Sequence, residues 1–240
     1  MKSSIYQIKK VRIVLVDSGI NTAENNLNNS LIDEVGISFD TSMNVIERSK
    51  PIVENDHGTV IAETIKSICN SVEFISINIL DKNLTTNGII LLAALKKAMS
   101  YNPNIVHLSL GTTKLKYWFQ LRKITKTLNR NNVIIVSAAE NNGRKSYPAY
   151  LKHVVGVKGT NLKNDEFYYN NNFFYSPLYL PDVIINSNEK YKHICGNSIS
   201  AAYITGHICN IILKLNIKKN NEIVDCLKSE GMKNYRNYNK

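Results

Sequence analysis

The chain has 240 residues, of which 43% are hydrophobic, enough to build one sizeable core. Thirty Lys and Arg against nineteen Asp and Glu give a net charge of +11, a field that favours acidic partners, and no run of residues reads as a membrane span. Cys69, Cys195, Cys209 and Cys226 form no CxxC pair, which argues against a zinc site and for reduced, mostly buried thiols, Cys195 included.

The chain opens MKSSIYQIKKVRIVLVDSG. The apolar run VRIVLV is too short for a secretory signal and ends in Asp17, without a small-residue cleavage pattern. A cytoplasmic location is the expectation. VRIVLV (Val11–Val16), VEFISINIL (Val72–Leu80), NIVHLSL (Asn104–Leu110), VIIVSA (Val133–Ala138) and VVGVKG (Val154–Gly159) read as strands. Their nearly continuous apolar character suits a sheet covered on both faces. Helical patterns fall at about Gly58–Ile68, Asn87–Ser100, Lys114–Arg130 and Ser198–Leu213. Beyond Lys214 the chain turns polar and charged, and a short helix near Glu222–Ser229 with a frayed tail is expected.

Alternation of strand and helix predicts an α/β fold, a three-layer sandwich with a mostly parallel central sheet flanked by helices. One domain spans residues 1–240, with its core over about 11–213. In such sheets chemistry gathers beyond the carboxyl ends of strands. Three polar clusters lie there: Asp17-Ser18-Gly19, Ser109-Leu110-Gly111 and Glu140-Asn141-Asn142-Gly143. A fourth, Asn55-Asp56-His57-Gly58-Thr59, opens the first helix.

The helix at Ser198–Leu213 is apolar all round, as a buried central helix should be. Ser198 at its mouth reads as an ordinary N-cap. It also reads as a nucleophile, because a helix N-terminus offers free N–H groups to an oxyanion. Asp17, His57 and Ser198 together supply an orienting carboxylate, a general base and a nucleophile.

On these residues the chain resembles the subtilisin-like (S8-type) serine peptidases. The Asp motif matches Asp17-Ser18-Gly19-Ile20, and HGTVIAETI at His57–Ile65 is similar to the family's His motif. HLSLG (His107–Gly111), AAENNG (Ala138–Gly143), YPAYL, YLPDVIINS and GNSISAA (Gly196–Ala202) resemble the remaining family segments, so the likeness runs from about Val11 to Leu213.

The resemblance implies a subtilisin-like fold and peptide-bond hydrolysis by Asp17, His57 and Ser198, with the Asn141 side chain as oxyanion donor. It also implies that Ser109, Leu110 and Gly111 form a substrate-binding edge that pairs with an extended peptide. Glu140 stands where the family has glycine, beside the pocket for the residue before the cut. A carboxylate there would favour Lys or Arg; alternatively it points to solvent.

Glu63, Asn197, Ile199, Ala202 and His107 also depart from the family pattern. They keep open a second reading, a degenerate subtilase fold that binds a peptide without cutting it. The compact, leaderless form resembles peptidases that remove leaders from ribosomally made peptides, and a +11 chain would attract an acidic leader. A peptide or protein substrate is the expected partner. No cofactor, metal, nucleic-acid or membrane partner is expected, and His153, His193 and His207 read as structural.

Overall fold

A computed structural model describes residues 9–22, 27–163, 165–216 and 219–238. The expected strands appear as β1 (Val11–Asp17), β4 (Val72–Asn78), β5 (Ile105–Leu108), β6 (Ile134–Ala138) and β7 (Val155–Thr160). The edges add β2 (Leu31–Phe39), β3 (Val45–Ser49), β8 (Tyr168–Asn170) and β9 (Phe173–Pro177). One sheet results, in the order β3-β2-β4-β1-β5-β6-β7-β9-β8. Its interior pairings are parallel, while β3 and β8 close the two edges antiparallel to β2 and β9.

The pleat of β1 explains the three layers. Val11, Ile13 and Leu15 face one side of the sheet, where they join Val60, Ile61 and Ile65 of α1 (His57–Ile68) and Ile199, Tyr203 and Ile208 of α5 (Asn197–Leu215). Val14 and Val16 face the other side, with Leu91 and Leu95 of α2 (Gly88–Ser100) and Leu121 and Leu128 of α3 (Trp118–Arg130). Side chains at successive strand positions point to opposite faces, so one strand feeds both cores. A short α4 (Asp182–Ser187) precedes α5, and α6 (Asn220–Tyr238) follows it.

Three expectations change. The C-terminal helix is neither short nor followed by a frayed stretch within the described residues. α6 runs 19 residues, because Ile223 and Leu227 give it a buried stripe and Tyr235 and Tyr238 pack on Tyr168. Cys195 is exposed rather than in the core, since it lies just before α5 on a bridge to Tyr179; Cys226 is exposed as well, while Cys69 and Cys209 are buried thiols. Finally, α5 is by itself long and apolar enough to cross a membrane. It is instead packed between α1 and the sheet, where an all-round apolar surface is needed for burial.

Candidate active site

Asp17 closes β1, in register with Asn78 of β4. Its side chain is buried, and Oδ1 accepts hydrogen bonds from Ser18 N–H at 2.7 Å and from His57 Nδ1 at 2.8 Å. His57 is the first residue of α1. The turn before α1 is built by short polar side chains. Ser18 Oγ donates to the Asn55 carbonyl at 2.7 Å and accepts Gly58 N–H at 3.0 Å, and Asn55 Oδ1 accepts His57 N–H at 2.9 Å. Gly58 allows this closeness: a Cβ there would stand 2.4 Å from the Gly19 carbonyl oxygen.

Burial alone would raise the Asp17 pKa. The neighbouring His57 charge and the hydrogen bonds of His57, Ser109 and Ser18 outweigh it and hold the pKa below its ordinary value. Burial likewise opposes charge on His57, but the Asp17 carboxylate prevails and raises the imidazole pKa. An ionised Asp17 fixes the proton of a neutral His57 on Nδ1 and leaves Nε2 as a lone-pair acceptor. That is the form a general base requires. The second carboxylate oxygen, Oδ2, is buried and meets no donor at full hydrogen-bond geometry.

Ser198 is the second residue of α5. Gly196, with φ +131°, turns the chain into the helix through a conformation that an L side chain rarely adopts. The Ser198 hydroxyl donates to the Ser109 carbonyl at 3.1 Å. Ser109 therefore bears on both halves of the site: its carbonyl accepts the serine hydroxyl, and its side chain contributes to the lowered Asp17 pKa.

Asn197 anchors the start of α5. Its Oδ1 accepts Gly159 N–H at 2.6 Å, and its Nδ2 donates to the Ala139 carbonyl at 3.0 Å. Its N–H donates to Asn141 Oδ1 at 3.0 Å. That last bond fixes the Asn141 amide with its oxygen spent and its Nδ2 available as a donor at the mouth of the helix.

Leu110 and Gly111 continue from Ser109. Leu110 packs on the second core, while Gly111 is exposed and a Cβ there would stand 2.8 Å from the Tyr147 carbonyl oxygen. Thr112 and Tyr147 then exchange backbone hydrogen bonds at 2.7 and 2.8 Å, tying this edge to the loop after β6.

Glu140 is held by its own loop. Oε2 accepts the N–H groups of Asn142 and Arg144 at 3.0 and 3.1 Å, and Oε1 takes Asn142 Nδ2 at 3.0 Å and the Arg144 guanidinium at 2.9 Å. These bonds, the Arg144 side chain foremost, lower its pKa. The carboxylate thus staples the 140–144 turn, a role the sequence reading did not foresee.

Among the described residues no group of three or more His, Cys, Asp or Glu side chains gathers to hold a metal ion. His153 has a lowered pKa, from burial and from Lys126, Lys152, Arg122 and Arg130 around it. His207 bonds to the Asp165 carbonyl at 2.6 Å.

The sequence profile of the subtilase family (peptidase S8) matches residues 9–234. The chain belongs to the subtilase family. Other likenesses agree with this subtilase assignment. The thermostable alkaline protease of Halalkalibacterium halodurans is 25% identical over 169 residues, 63% of this chain and 45% of that protein. The chain thus spans less than half the length of that relative.

Among solved structures, the nisin leader peptidase from Lactococcus lactis superposes with a TM-score of 0.71 at 16% identity, covering 92% of this chain and 83% of the other. The epidermin leader peptide processing serine protease from Staphylococcus aureus gives 0.69 at 16% identity, covering 91% and 69%. At such identities these two establish the subtilisin-like fold alone.

Proposed function

We propose that the chain is a serine endopeptidase that removes a leader segment from a peptide precursor. In this reading Ser198 attacks the scissile carbonyl. His57 Nε2 takes the serine proton and returns it to the leaving amine, and Asp17 stabilises the imidazolium that forms between. The Ser198 N–H at the start of α5 and the Asn141 Nδ2 donate to the oxyanion.

The observation that carries this reading is the buried Asp17–His57 bond of 2.8 Å, joined through Ser109 to the hydroxyl of Ser198. An extended substrate pairing with the Ser109 carbonyl would take the place of the serine hydroxyl there and release it towards the base. Substrate docking and nucleophile release are then one event.

Leader removal is supported by the fold shared with two leader peptidases. The +11 charge suits an acidic leader. A preference for Lys or Arg before the cut would rest on Glu140, and a basic substrate side chain would have to displace Arg144 from it. Mass spectrometry of candidate precursor peptides incubated with the chain tests the proposal. Cleavage at one site, absent with Ser198→Ala, is the expected result; intact precursors with both proteins would overturn it.

One observation favours the second reading, a peptide-binding protein that does not cut. The Ser198 hydroxyl of the free chain is spent on the Ser109 carbonyl. Tight precursor binding by the unaltered chain without cleavage would be its mark.

A further inference from the structure

Behind the Asp17–His57 pair lies a second imidazole. His107 sits in β5, fully buried, and both of its ring nitrogens are engaged. Nδ1 lies 2.8 Å from Thr205 Oγ1 of α5, and Nε2 lies 3.1 Å from Ser109 Oγ. Thr205 Oγ1 is also 2.9 Å from the Ala201 carbonyl oxygen. The charged groups acting on the ring are Asp17 and His57; burial, aided by the His57 charge, outweighs the Asp17 carboxylate and pushes its pKa down to about 4. His107 is therefore neutral near neutral pH.

A neutral imidazole carries one N–H, and each hydroxyl carries one proton. Counting these protons leaves two complete arrangements. In the first, His107 Nδ1–H donates to Thr205, Thr205 donates to the Ala201 carbonyl, and Ser109 donates to His107 Nε2. The buried Oδ2 of Asp17 then has no donor. In the second, Thr205 donates to Nδ1 and Nε2–H donates to Ser109 Oγ. The Ser109 proton is then released for Asp17.

The second arrangement gives up little. The Ala201 carbonyl still accepts from the helical N–H four residues on, as in any α-helix. The gain is a donor for a buried carboxylate, where an unmet acceptor is costly and a charge-assisted bond is strong.

We propose that His107 is a positioning residue: held by Thr205 as the Nε2–H tautomer, it aims the Ser109 hydroxyl at Asp17 and so steadies the carboxylate that orients His57. The catalytic consequence rests on the peptidase reading above, whereas the tautomer does not. An asparagine side chain at this position could serve the same two partners, with its oxygen towards Thr205 and its amide N–H towards Ser109.

The direct test is the ring's ¹⁵N spectrum in the unaltered chain labelled at histidine, with His107 assigned by its disappearance in His107→Asn. The expected result is a neutral Nε2–H tautomer at neutral pH. An Nδ1–H tautomer would overturn the proposal, whether or not any peptide is cut.

Kinetics supply the second test. His107→Leu should lower kcat about tenfold, the scale of one hydrogen bond, with KM little changed. With less support for its charge, Asp17 would pull harder on the His57 proton, so the acid limb of kcat/KM should move up by roughly half a pH unit or more. His107→Asn should stay near the original in both. A folded His107→Leu with unaltered kcat and pH profile, or a His107→Asn as impaired as the leucine variant, would reduce His107 to a packing residue. Should the leucine variant not fold, the ¹⁵N spectrum decides.

Discussion

The His57 Nδ1 to Asp17 Oδ1 bond, 2.8 Å long and shielded from water, sets the charge of both groups. Asp17 titrates below its ordinary value and His57 above 6.5. A general base at His57, as proposed, would work only when neutral, so kcat/KM should fall as pH drops through a pKa above 6.5. Asp17→Asn removes the carboxylate that selects the tautomer. It should lower kcat by about 10⁴-fold, as in serine peptidases of the chymotrypsin type, while the acid limb moves down. A pH–rate profile of the two proteins checks both.

The same pair bears on stability, with opposite signs for its two members. The raised His57 pKa contributes stability that is fully present below the unfolded value near 6.5 and is lost as pH rises through the folded value. The depressed Asp17 pKa contributes stability that is present above the unfolded value near 3.8 and is lost as pH falls through the folded value. Asp17→Asn should therefore flatten the melting temperature against pH both below pH 3.8 and upward from pH 6.5, which thermal scans would show.

Asn141 has two separable jobs. Its Oδ1 accepts Asn197 N–H, and its Nδ2 is the proposed oxyanion donor. Asn141→Ala should lower kcat by about 10²–10³-fold with KM nearly unchanged, the known cost of losing this donor in subtilisin itself. Asn141→Asp keeps an acceptor for Asn197 but no donor. It should lose a similar factor in kcat while melting closer to the original chain than the alanine variant.

Asn197 fills a buried slot with two partners, Gly159 N–H and the Ala139 carbonyl. Asn197→Ala strands both. The expected loss is about 2–3 kcal/mol, read by chemical denaturation. A fall in the melting temperature of about 4–12 °C should accompany it.

Arg144 is paired with Glu140, and on the proposed reading a basic substrate side chain would compete with it. Arg144→Ala should raise the rate of cleavage after Arg relative to Leu by about tenfold, if the released carboxylate faces the pocket. An unchanged ratio in a peptide panel would make Glu140 a loop staple only.

The sheet centre was legible because β1, β4, β5, β6 and β7 are short, apolar and β-branched, and because polar clusters follow β1, β5 and β6. The edges were not. β3 exposes four of its five side chains and β2 is buried only over Val35–Ile37, so Asp33, Glu34, Glu47 and Arg48 break any apolar signal. α6 was read too short, because its buried positions are Asn220, Ile223, Leu227 and Gly231, of which only two carry large apolar side chains, in a highly charged helix.

At the site, Asp17, His57 and Ser198 were visible as motif residues. The Glu140 staple could have been suspected from Arg144 four residues on. The sequence puts His107 in a strand but not its role, because its partner Thr205 lies 98 residues away and only folding brings them together.

Reactivity of the Ser198 hydroxyl is the most direct test of the triad. A fluorophosphonate probe, followed by digestion and mass spectrometry, reads it without knowledge of the substrate. A single adduct on Ser198 is expected, abolished in Ser198→Ala and strongly slowed in His57→Ala. No adduct on the folded, unaltered chain, or one at the same rate without His57, would contradict the triad.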